Sequence, residues 1–170
     1  MTREEFLKDI GPWSSHRPLL WRALEATKGN THPILEMGCG DGSTPYLQQY
    51  AKDTGRQLIS MDSNQKWADK FGAVHTQSWD SGEWFYKRAY SVVLIDHAPG
   101  EQRRVALQLF VEYPIHISNG VLVVHDSEPV GWNASDYRVR PLFGRFKYIV
   151  DDEAVKGAPW TTALSNDIPL

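Results

Sequence analysis

The sequence predicts an α/β fold built around a mostly parallel sheet. Short apolar runs rich in β-branched residues alternate with helical patterns along the chain. The runs are apolar throughout, as in parallel strands that helices cover on both faces. Two strands near the C-terminus lie too close together for a crossover helix, which predicts an antiparallel strand at one end of the sheet. The length of 170 residues suits a single domain, residues 1–170.

The first elements establish the alternation. Arg17–Thr27 carries apolar residues at the spacing of an amphipathic helix, and Gly29 follows it as a C-terminal cap. Pro33–Met37 is a short apolar run that ends at a glycine, which predicts a buried strand. Ser43–Thr54 is predicted to be a helix, because a serine can cap it and Pro45 fits its first turn. The other predicted strands are Gln57–Met61, Ala73–Gln77, Tyr90–Ile95, Gly120–His125, Phe146–Val150 and Trp160–Leu164, and the other predicted helices are Gln65–Phe71 and Gln102–Val111.

Composition and charge narrow the function classes. The net charge of −3 argues against a dedicated nucleic-acid binder, whose affinity rests on neutralised phosphates. The basic residues between Arg138 and Lys147 form a short stretch that we interpret as a solvated edge beside a strand. No apolar run reaches the ~20 residues of a membrane span, and Met1–Glu5 lacks the apolar core of a signal peptide. A single cysteine, Cys39, excludes an internal disulfide, so the expected location is cytoplasmic.

The segment Ile34–Thr44 carries most of the functional argument. A predicted strand runs into a turn that contains Gly38, Gly40 and Gly42, and the turn opens a helix. Glycines let the backbone bend sharply and approach a ligand closely, and a helix N-terminus adds N–H groups and positive potential. A dinucleotide fold uses the pattern G-x-G-x-x-G for pyrophosphate, but Ser43 stands where its third glycine would be. A nicotinamide cofactor is therefore the weaker interpretation.

Two acidic residues flank this turn. Asp62 ends the second predicted strand, where it can form a bidentate hydrogen bond to the two hydroxyls of a ribose. Glu36 lies on the first strand, just before the turn. Its carboxylate would repel a pyrophosphate but attract the ammonium and sulfonium groups of S-adenosylmethionine. The sequence therefore favours S-adenosylmethionine over NAD as the cofactor.

Four segments, in order, resemble the motifs of class I S-adenosylmethionine-dependent methyltransferases. LEMGCGDGST resembles their first motif and SMDSN their second, ribose-binding motif. VVLIDHAPGEQRR and GVLVVHDSEP resemble the ends of their fourth and fifth strands. The resemblance runs from about His16 to the tail hairpin. It implies a Rossmann-like sheet of seven strands in the order 3-2-1-4-5-7-6, with strand 7 antiparallel and helices on both faces.

The resemblance also implies cofactor contacts by position. It puts the glycine turn against the cofactor and Asp62 on the ribose, with Trp79 or Asp80 flanking the adenine. It further implies that the helical N-terminal segment, residues 1–30, closes over the cofactor. The predicted cofactor-binding residues are Glu36, Gly38, Cys39, Gly40, Gly42, Ser43, Asp62, Trp79, Asp80 and Asp96.

Candidate catalytic residues follow the fourth and fifth predicted strands, at the carboxyl edge where open α/β sheets bind ligands. Asp96 and His97 end the fourth strand, and His125 and Asp126 end the fifth. We predict Asp96, His97 and Asp126 as catalytic, with His97 as the general base, because an unperturbed histidine titrates near pH 6.5. His125 and His16 are the other candidate bases.

A metal ion is the alternative role for the same carboxylates. Asp96-His97 resembles the pair that ends the fourth strand in catechol O-methyltransferase-like enzymes, which bind a divalent metal through this Asp and a later Asp-Asn. Here the later pair is Asp126-Ser127, with serine in place of asparagine. Asp96 and Asp126 are thus predicted ligands of a Mg²⁺ ion whose remaining positions are filled by water.

The predicted function is methyl transfer to an oxygen or nitrogen of a small molecule. Trp13, Trp79, Trp84 and Trp132 are predicted to contribute an aromatic pocket, and the loop Glu128–Arg140 to recognise the substrate. Three alternatives stay open: a non-catalytic domain that binds S-adenosylmethionine or S-adenosylhomocysteine, a nicotinamide-dependent oxidoreductase, and a nucleic-acid methyltransferase. The last often carries Asp/Asn-Pro-Pro-aromatic after the fourth strand, where this chain has Asp-His-Ala-Pro. The methyl acceptor and the oligomeric state are left open by the sequence.

Overall fold

The fold is a seven-stranded sheet with helices on both faces. The computed structural model describes residues 1–79, 88–129 and 137–170. The strand order is β3-β2-β1-β4-β5-β7-β6, and β7 runs antiparallel to both of its neighbours while the other pairs are parallel. This confirms the predicted α/β class, the strand order and the antiparallel strand. The strands are β1 (Ile34–Met37), β2 (Leu58–Asp62), β3 (Val74–His75), β4 (Val92–Ile95), β5 (Val121–His125), β6 (Tyr148–Asp152) and β7 (Thr161–Ser165).

The helices lie between the strands as the alternating pattern predicts. They are α1 (Arg3–Phe6), α2 (Arg17–Ala26), α3 (Thr44–Thr54), α4 (Gln65–Phe71) and α5 (Arg103–Glu112), with short 3₁₀ turns at Pro12–Ser14, Gly100–Gln102, Pro114–Ile117 and Arg140–Arg145. Left-handed glycines end two of them, Gly55 after α3 and Gly72 after α4, and satisfy carbonyls of the last turn. Among the described residues, no helix is long and apolar enough to cross a membrane.

Successive residues of a strand pack in two separate cores, because side chains alternate between the two faces of the strand. On β4, Val93 and Ile95 pack in the core that contains α5, whereas Val92 and Leu94 pack in the core that contains α2 and α3. The central strands are buried on both faces, which explains why their sequences are apolar throughout.

The tail differs slightly from the prediction. Its two strands pair as the expected hairpin, but the first begins at Tyr148 instead of Phe146. Phe146 instead ends the 3₁₀ turn Arg140–Arg145, and its N–H donates to the carbonyl of Phe143. The sequence prediction overlooked this turn, which contains a proline and a glycine but no helical apolar period.

Candidate active site

The glycines of the turn between β1 and α3 differ in the space that surrounds them. Gly38 has φ of +101°, and a Cβ there would lie 2.5 Å from the Cα of His97. A Cβ on Gly42 would lie 2.5 Å from the carbonyl oxygen of Trp13. Gly40 differs, since the nearest atom to its Cβ position is 3.9 Å away. Two of the glycines therefore permit close backbone packing, and Gly40 leaves open space beside the turn.

Glu36 lies beneath this turn and is completely buried. One carboxylate oxygen accepts hydrogen bonds from the hydroxyls of Ser43 (2.5 Å) and Thr44 (3.0 Å), and the other accepts one from Ser60 (2.7 Å). Burial raises the pKa of Glu36 to about 7, and the three hydroxyls only partly oppose this. In this structure Glu36 and Ser43 contact each other at the base of the turn, and the predicted attraction of Glu36 to a cofactor ammonium stays a prediction.

Asp62 ties the end of β2 to the turn. One of its oxygens accepts the backbone N–H of Cys39 at 2.7 Å, and the other accepts the N–H of Asn64 at 2.7 Å. Each oxygen keeps further acceptor capacity, since a carboxylate oxygen accepts about two hydrogen bonds. The side chain of Cys39 is partly exposed, and burial raises the pKa of its thiol to about 12.

Trp79 is buried in the core that contains α5. Its ring stacks on the imidazole of His97 with 3.9 Å between centroids, and its N–H donates to the carbonyl of Ala98 at 3.3 Å. Its position flanking an adenine stays a prediction. Asp80, Trp84 and Trp132, which were predicted to contact the cofactor or line the pocket, lie outside the described residues.

An open cleft of about 470 Å³ runs along the carboxyl edge of the sheet. One end is formed by the glycine turn and the other by the charged residues that follow β4 and β5. Its lining residues are Trp13, Gly40, Asp41, Gly42, Trp67, Asp96, Arg103, His125, Asp126 and Pro159. The cleft therefore brings four predicted site residues together, Gly40, Gly42, Asp96 and Asp126, along with the candidate base His125. It also brings in Trp13, from the segment predicted to close over the cofactor.

Arg103 is the functional side chain that the sequence analysis missed. Its guanidinium forms ion pairs with Asp96 (3.0 Å) and Asp126, and it donates to the carbonyls of His97 and His125. The predicted Mg²⁺ between the two carboxylates is corrected by this arrangement, because a guanidinium already bridges them. Ser127 does not supply the third oxygen, since its buried hydroxyl bonds Thr162 at 2.7 Å.

His125 lies between two of these charged groups. Its Nδ1 is 3.0 Å from Asp96 and 3.6 Å from Asp126, and its Nε2 is 2.9 Å from the hydroxyl of Ser15. Burial alone would lower the pKa of His125, but the Asp96 carboxylate and its hydrogen bond outweigh burial and raise it. Burial likewise favours the neutral form of Asp96, yet His125 and Arg103 hold the pKa of Asp96 well below its usual range. Asp96 and Arg103 thus stabilise each other's charge, and Asp96 favours the protonated form of His125.

His97 does not reach the cleft. The ring is fully buried against Trp79, and burial, with a contribution from Arg103, lowers its pKa to about 3. The predicted role as general base is therefore corrected. The cause is strand parity: Asp96 and His97 point in opposite directions, so only Asp96 faces the cleft.

His16 joins the cluster from the N-terminal side. It is buried, its ring centroid is 5.0 Å from that of His125, and its Nδ1 is 3.6 Å from Asp96. Burial and the charge of His125 lower its pKa to about 3, so it is neutral and weakly basic. One ligand atom each from His16, Asp96 and His125 lie within 4.8 Å of one another, but the ring nitrogens of His125 already bond Asp96 and Ser15.

No protein-family model and no curated protein matches the sequence of this chain. Its structure does match solved structures. N-methyltransferase NodS from Bradyrhizobium japonicum is 13% identical, with a TM-score of 0.61 over 94% of this chain and 99% of NodS. A Podospora anserina methyltransferase bound to S-adenosylhomocysteine is 12% identical, with a TM-score of 0.59 over 96% of this chain and 83% of that one. An rRNA methylase from Streptococcus thermophilus is 9% identical, with a TM-score of 0.55 over 87% and 96%. At such identities the likeness concerns architecture: this chain has the fold of the class I S-adenosylmethionine-dependent methyltransferases.

Proposed function

We propose that this protein is an S-adenosylmethionine-dependent methyltransferase that acts on an oxygen or nitrogen of a small molecule. The observation that carries the proposal is one cleft with two unlike ends. The glycine turn forms the first end, and Asp96, Arg103, His125 and Asp126 form the second. A cofactor that spans the cleft would bring its reactive centre to the charged end.

The residues present fit this cofactor. Gly40 leaves the space that a side chain would fill, and the N-terminus of α3 behind the turn contributes positive potential. Asp62 retains acceptor capacity for ribose hydroxyls after bonding two backbone N–H groups. Trp13 and Trp67 add aromatic surface to the cleft. We infer that the turn and Asp62 bind the cofactor, and that residues 1–30 partly cover it.

The chain's own residues would position the reaction. When bound, S-adenosylmethionine supplies a methyl group on a positively charged sulfur. Asp96 and Asp126 offer negative charge at that end of the cleft, and Arg103 fixes both carboxylates so that they need not reorganise. Such alignment of two reactants accounts for a large share of the acceleration of a bimolecular displacement.

A non-catalytic binding domain is the second candidate, because among the described residues no histidine at the cleft has a ring nitrogen free to take a proton from a substrate. His97 is outside the cleft, His125 has both ring nitrogens hydrogen-bonded, and His16 has a low pKa. Such a domain would bind S-adenosylmethionine and S-adenosylhomocysteine without turnover.

Calorimetry tests the cofactor directly. We expect S-adenosylhomocysteine to bind the purified protein and NAD to bind far more weakly or not at all. Tighter binding of NAD would overturn the proposal. A second assay with methyl-labelled S-adenosylmethionine and a mixture of cellular metabolites distinguishes the two candidates, since only an enzyme transfers label to an acceptor. Adding RNA in a parallel arm reports a nucleic-acid acceptor.

A further inference from the structure

A second, smaller cavity lies on the other side of Asp126. Its volume is about 250 Å³, and Asp126 lines both this cavity and the larger cleft. Asp126 follows directly on β5 and has φ of +52°, a left-handed conformation that aspartate adopts more readily than most residues with a side chain. The two spaces therefore share one carboxylate at the edge of the sheet.

Glu128 gives this cavity an unsatisfied acidic group. It is only 5% exposed, and its Oε2 has no hydrogen-bond partner among the described residues. Burial raises the pKa of Glu128, and the neighbouring Asp126 adds to the rise. A buried carboxylate oxygen without a donor is costly, so a ligand that supplies N–H donors would be favoured there.

The opposite charge lies around the same cavity. Arg104, Arg138 and Arg140 line it, and two of these belong to the basic stretch that the sequence analysis interpreted as a solvated edge. Arg140 is already paired with Asp151 at 2.8 Å. Arg104 is exposed and donates only to a backbone carbonyl, at 3.3 Å. Its guanidinium thus keeps donors for an anionic group.

The linings of the cavity and the cleft are in contact through Tyr137 and Arg103. The ring of Tyr137 lies 4.9 Å from the guanidinium carbon of Arg103, and a Cβ on Gly100 would lie 2.2 Å from that ring. Arg103 also forms an ion pair with Asp126. Asp126, which lines both spaces, is thus held by the same guanidinium that pairs with Asp96 at the charged end of the cleft.

The acid–base properties of the cleft favour a nitrogen acceptor. A hydroxyl must lose its proton as it attacks, which requires a positioned base. Among the described residues, none of the three histidines near the cleft has a ring nitrogen available to a substrate hydroxyl, since the rings of His16 and His97 are buried and the Nε2 of His125 is engaged by Ser15. An amine attacks through its lone pair once its ammonium form has lost a proton, and a carboxylate or water can receive that proton.

We infer that the smaller cavity binds the methyl acceptor, and that the acceptor is a small zwitterionic amine such as an amino acid. Its amino group lies against Asp126 and Glu128, and its acidic group faces Arg104. This inference rests on the proposed methyl transfer. The ammonium of the bound acceptor first passes a proton to Glu128 or to water. The amine lone pair then forms the N–C bond, the C–S bond breaks with its electron pair left on sulfur, and the product leaves as a methylated ammonium.

A binding experiment tests this without turnover. Protein saturated with S-adenosylhomocysteine is screened by calorimetry against the twenty amino acids, and each hit is compared with its decarboxylated amine and its deaminated acid. We expect at least one amino acid to bind, and both analogues to bind about tenfold more weakly, because each loses a charged hydrogen-bonding group. Equal binding of the deaminated acid would overturn the inference.

Variants separate this inference from the proposed function. Glu128→Gln should weaken the amino acid about tenfold and leave S-adenosylhomocysteine unchanged, and Glu4→Gln, on exposed α1, should change neither. If S-adenosylhomocysteine binds and no amino acid does, the inference fails and the proposed function stands. If S-adenosylhomocysteine does not bind, the proposed function fails and the acceptor role fails with it.

Discussion

Two carboxylates at neighbouring strands, Glu36 fully buried and Asp96 partly exposed to the cleft, show how partners decide the charge of an acid. Glu36 lies on β1 and Asp96 follows β4, which pairs with β1 in parallel. Burial favours the neutral form of both. The partners of Glu36 are three neutral hydroxyls, and its pKa is raised to about 7. The partners of Asp96 are Arg103 and His125, and its pKa lies well below the usual range.

The different partners suit the two acids to different roles, one structural and one electrostatic. A carboxyl satisfied by hydroxyls holds a turn in place whether or not it carries a proton. A carboxylate satisfied by cations stays ionised and presents a fixed charge to the cleft. The sequence shows two acids at two strand ends, and only the surrounding side chains reveal that they differ.

We expect the largest effect on stability from removing the guanidinium of Arg103. Arg103→Met leaves Asp96 and Asp126 close together without the guanidinium that pairs with both, and with His125 as their remaining shared neighbour. Breaking a buried ion pair from one side typically costs about 3–5 kcal/mol, because an uncompensated charge stays behind. We expect a loss of this size in the free energy of unfolding, measured by urea denaturation.

The neighbouring arginine provides the control. Arg104→Met removes the same charge from the same helix, but its side chain is exposed, so the change should stay within about 0.5 kcal/mol. A loss below about 1 kcal/mol for Arg103→Met would mean that the carboxylates are neutralised in another way.

The second prediction concerns Glu36, whose pKa is raised where that of Asp96 is lowered. A glutamate whose pKa rises from 4.5 to about 7 on folding stabilises the fold below pH 4.5, and this contribution is lost as the pH rises through 7. Across that window the loss amounts to about 3 kcal/mol. Glu36→Gln cannot ionise. We therefore expect the stability of the wild type to fall relative to the variant between pH 5 and pH 8.

Urea denaturation at several pH values measures this difference. Asp96 has the reverse sign, since its lowered pKa stabilises the fold above its ordinary value of 3.8 and the contribution is lost as the pH falls through the lower folded value. A flat difference between wild type and Glu36→Gln would show that Glu36 is ionised in the folded state throughout.

The strand ends were predictable from sequence, and the directions of their side chains were not. Apolar runs and glycine breaks located β1, β4 and β5 within two residues, and so placed Asp96, His125 and Asp126 at one edge. Whether Asp96 or its neighbour His97 faces the cleft depends on strand parity and on the close approach at Gly38. No local pattern encodes that choice.

Arg103 could not be found from sequence for a related reason. It stands at the start of α5, where it fits an ordinary helix and no motif singles it out. Its partners come from the ends of two other strands and meet it only after the sheet has formed. One signal could have pointed to it. Asp96 and Asp126 were predicted to lie side by side, and two adjacent carboxylates need a cation, which can be an arginine as well as a metal ion.

The third prediction concerns the glycine that lies between the two acids. Gly38→Ala introduces a Cβ against the backbone of His97 at a φ of +101°, so it combines strain with a clash. We expect a loss of about 2 kcal/mol or more in the free energy of unfolding. Gly40→Ala makes only an ordinary contact, since the nearest atom to its Cβ is 3.9 Å away, and should leave stability nearly unchanged while weakening the binding of S-adenosylhomocysteine. Equal stability losses in the two variants would contradict this division of roles.

The smallest expected effect tests a third kind of carboxylate, Asp62, whose partners are backbone N–H groups. Asp62→Asn keeps the size but offers one acceptor oxygen instead of two, so it can satisfy the N–H of Cys39 or of Asn64 but not both. It also removes the charge that would accept hydrogen bonds from ribose hydroxyls. We expect affinity for S-adenosylhomocysteine to fall about tenfold, or about 1.4 kcal/mol, by calorimetry.

Asp69→Asn makes the same change on exposed α4 and should leave the affinity unchanged. If Asp62→Asn binds S-adenosylhomocysteine like the wild type, Asp62 acts on the turn alone and the ribose partner lies elsewhere.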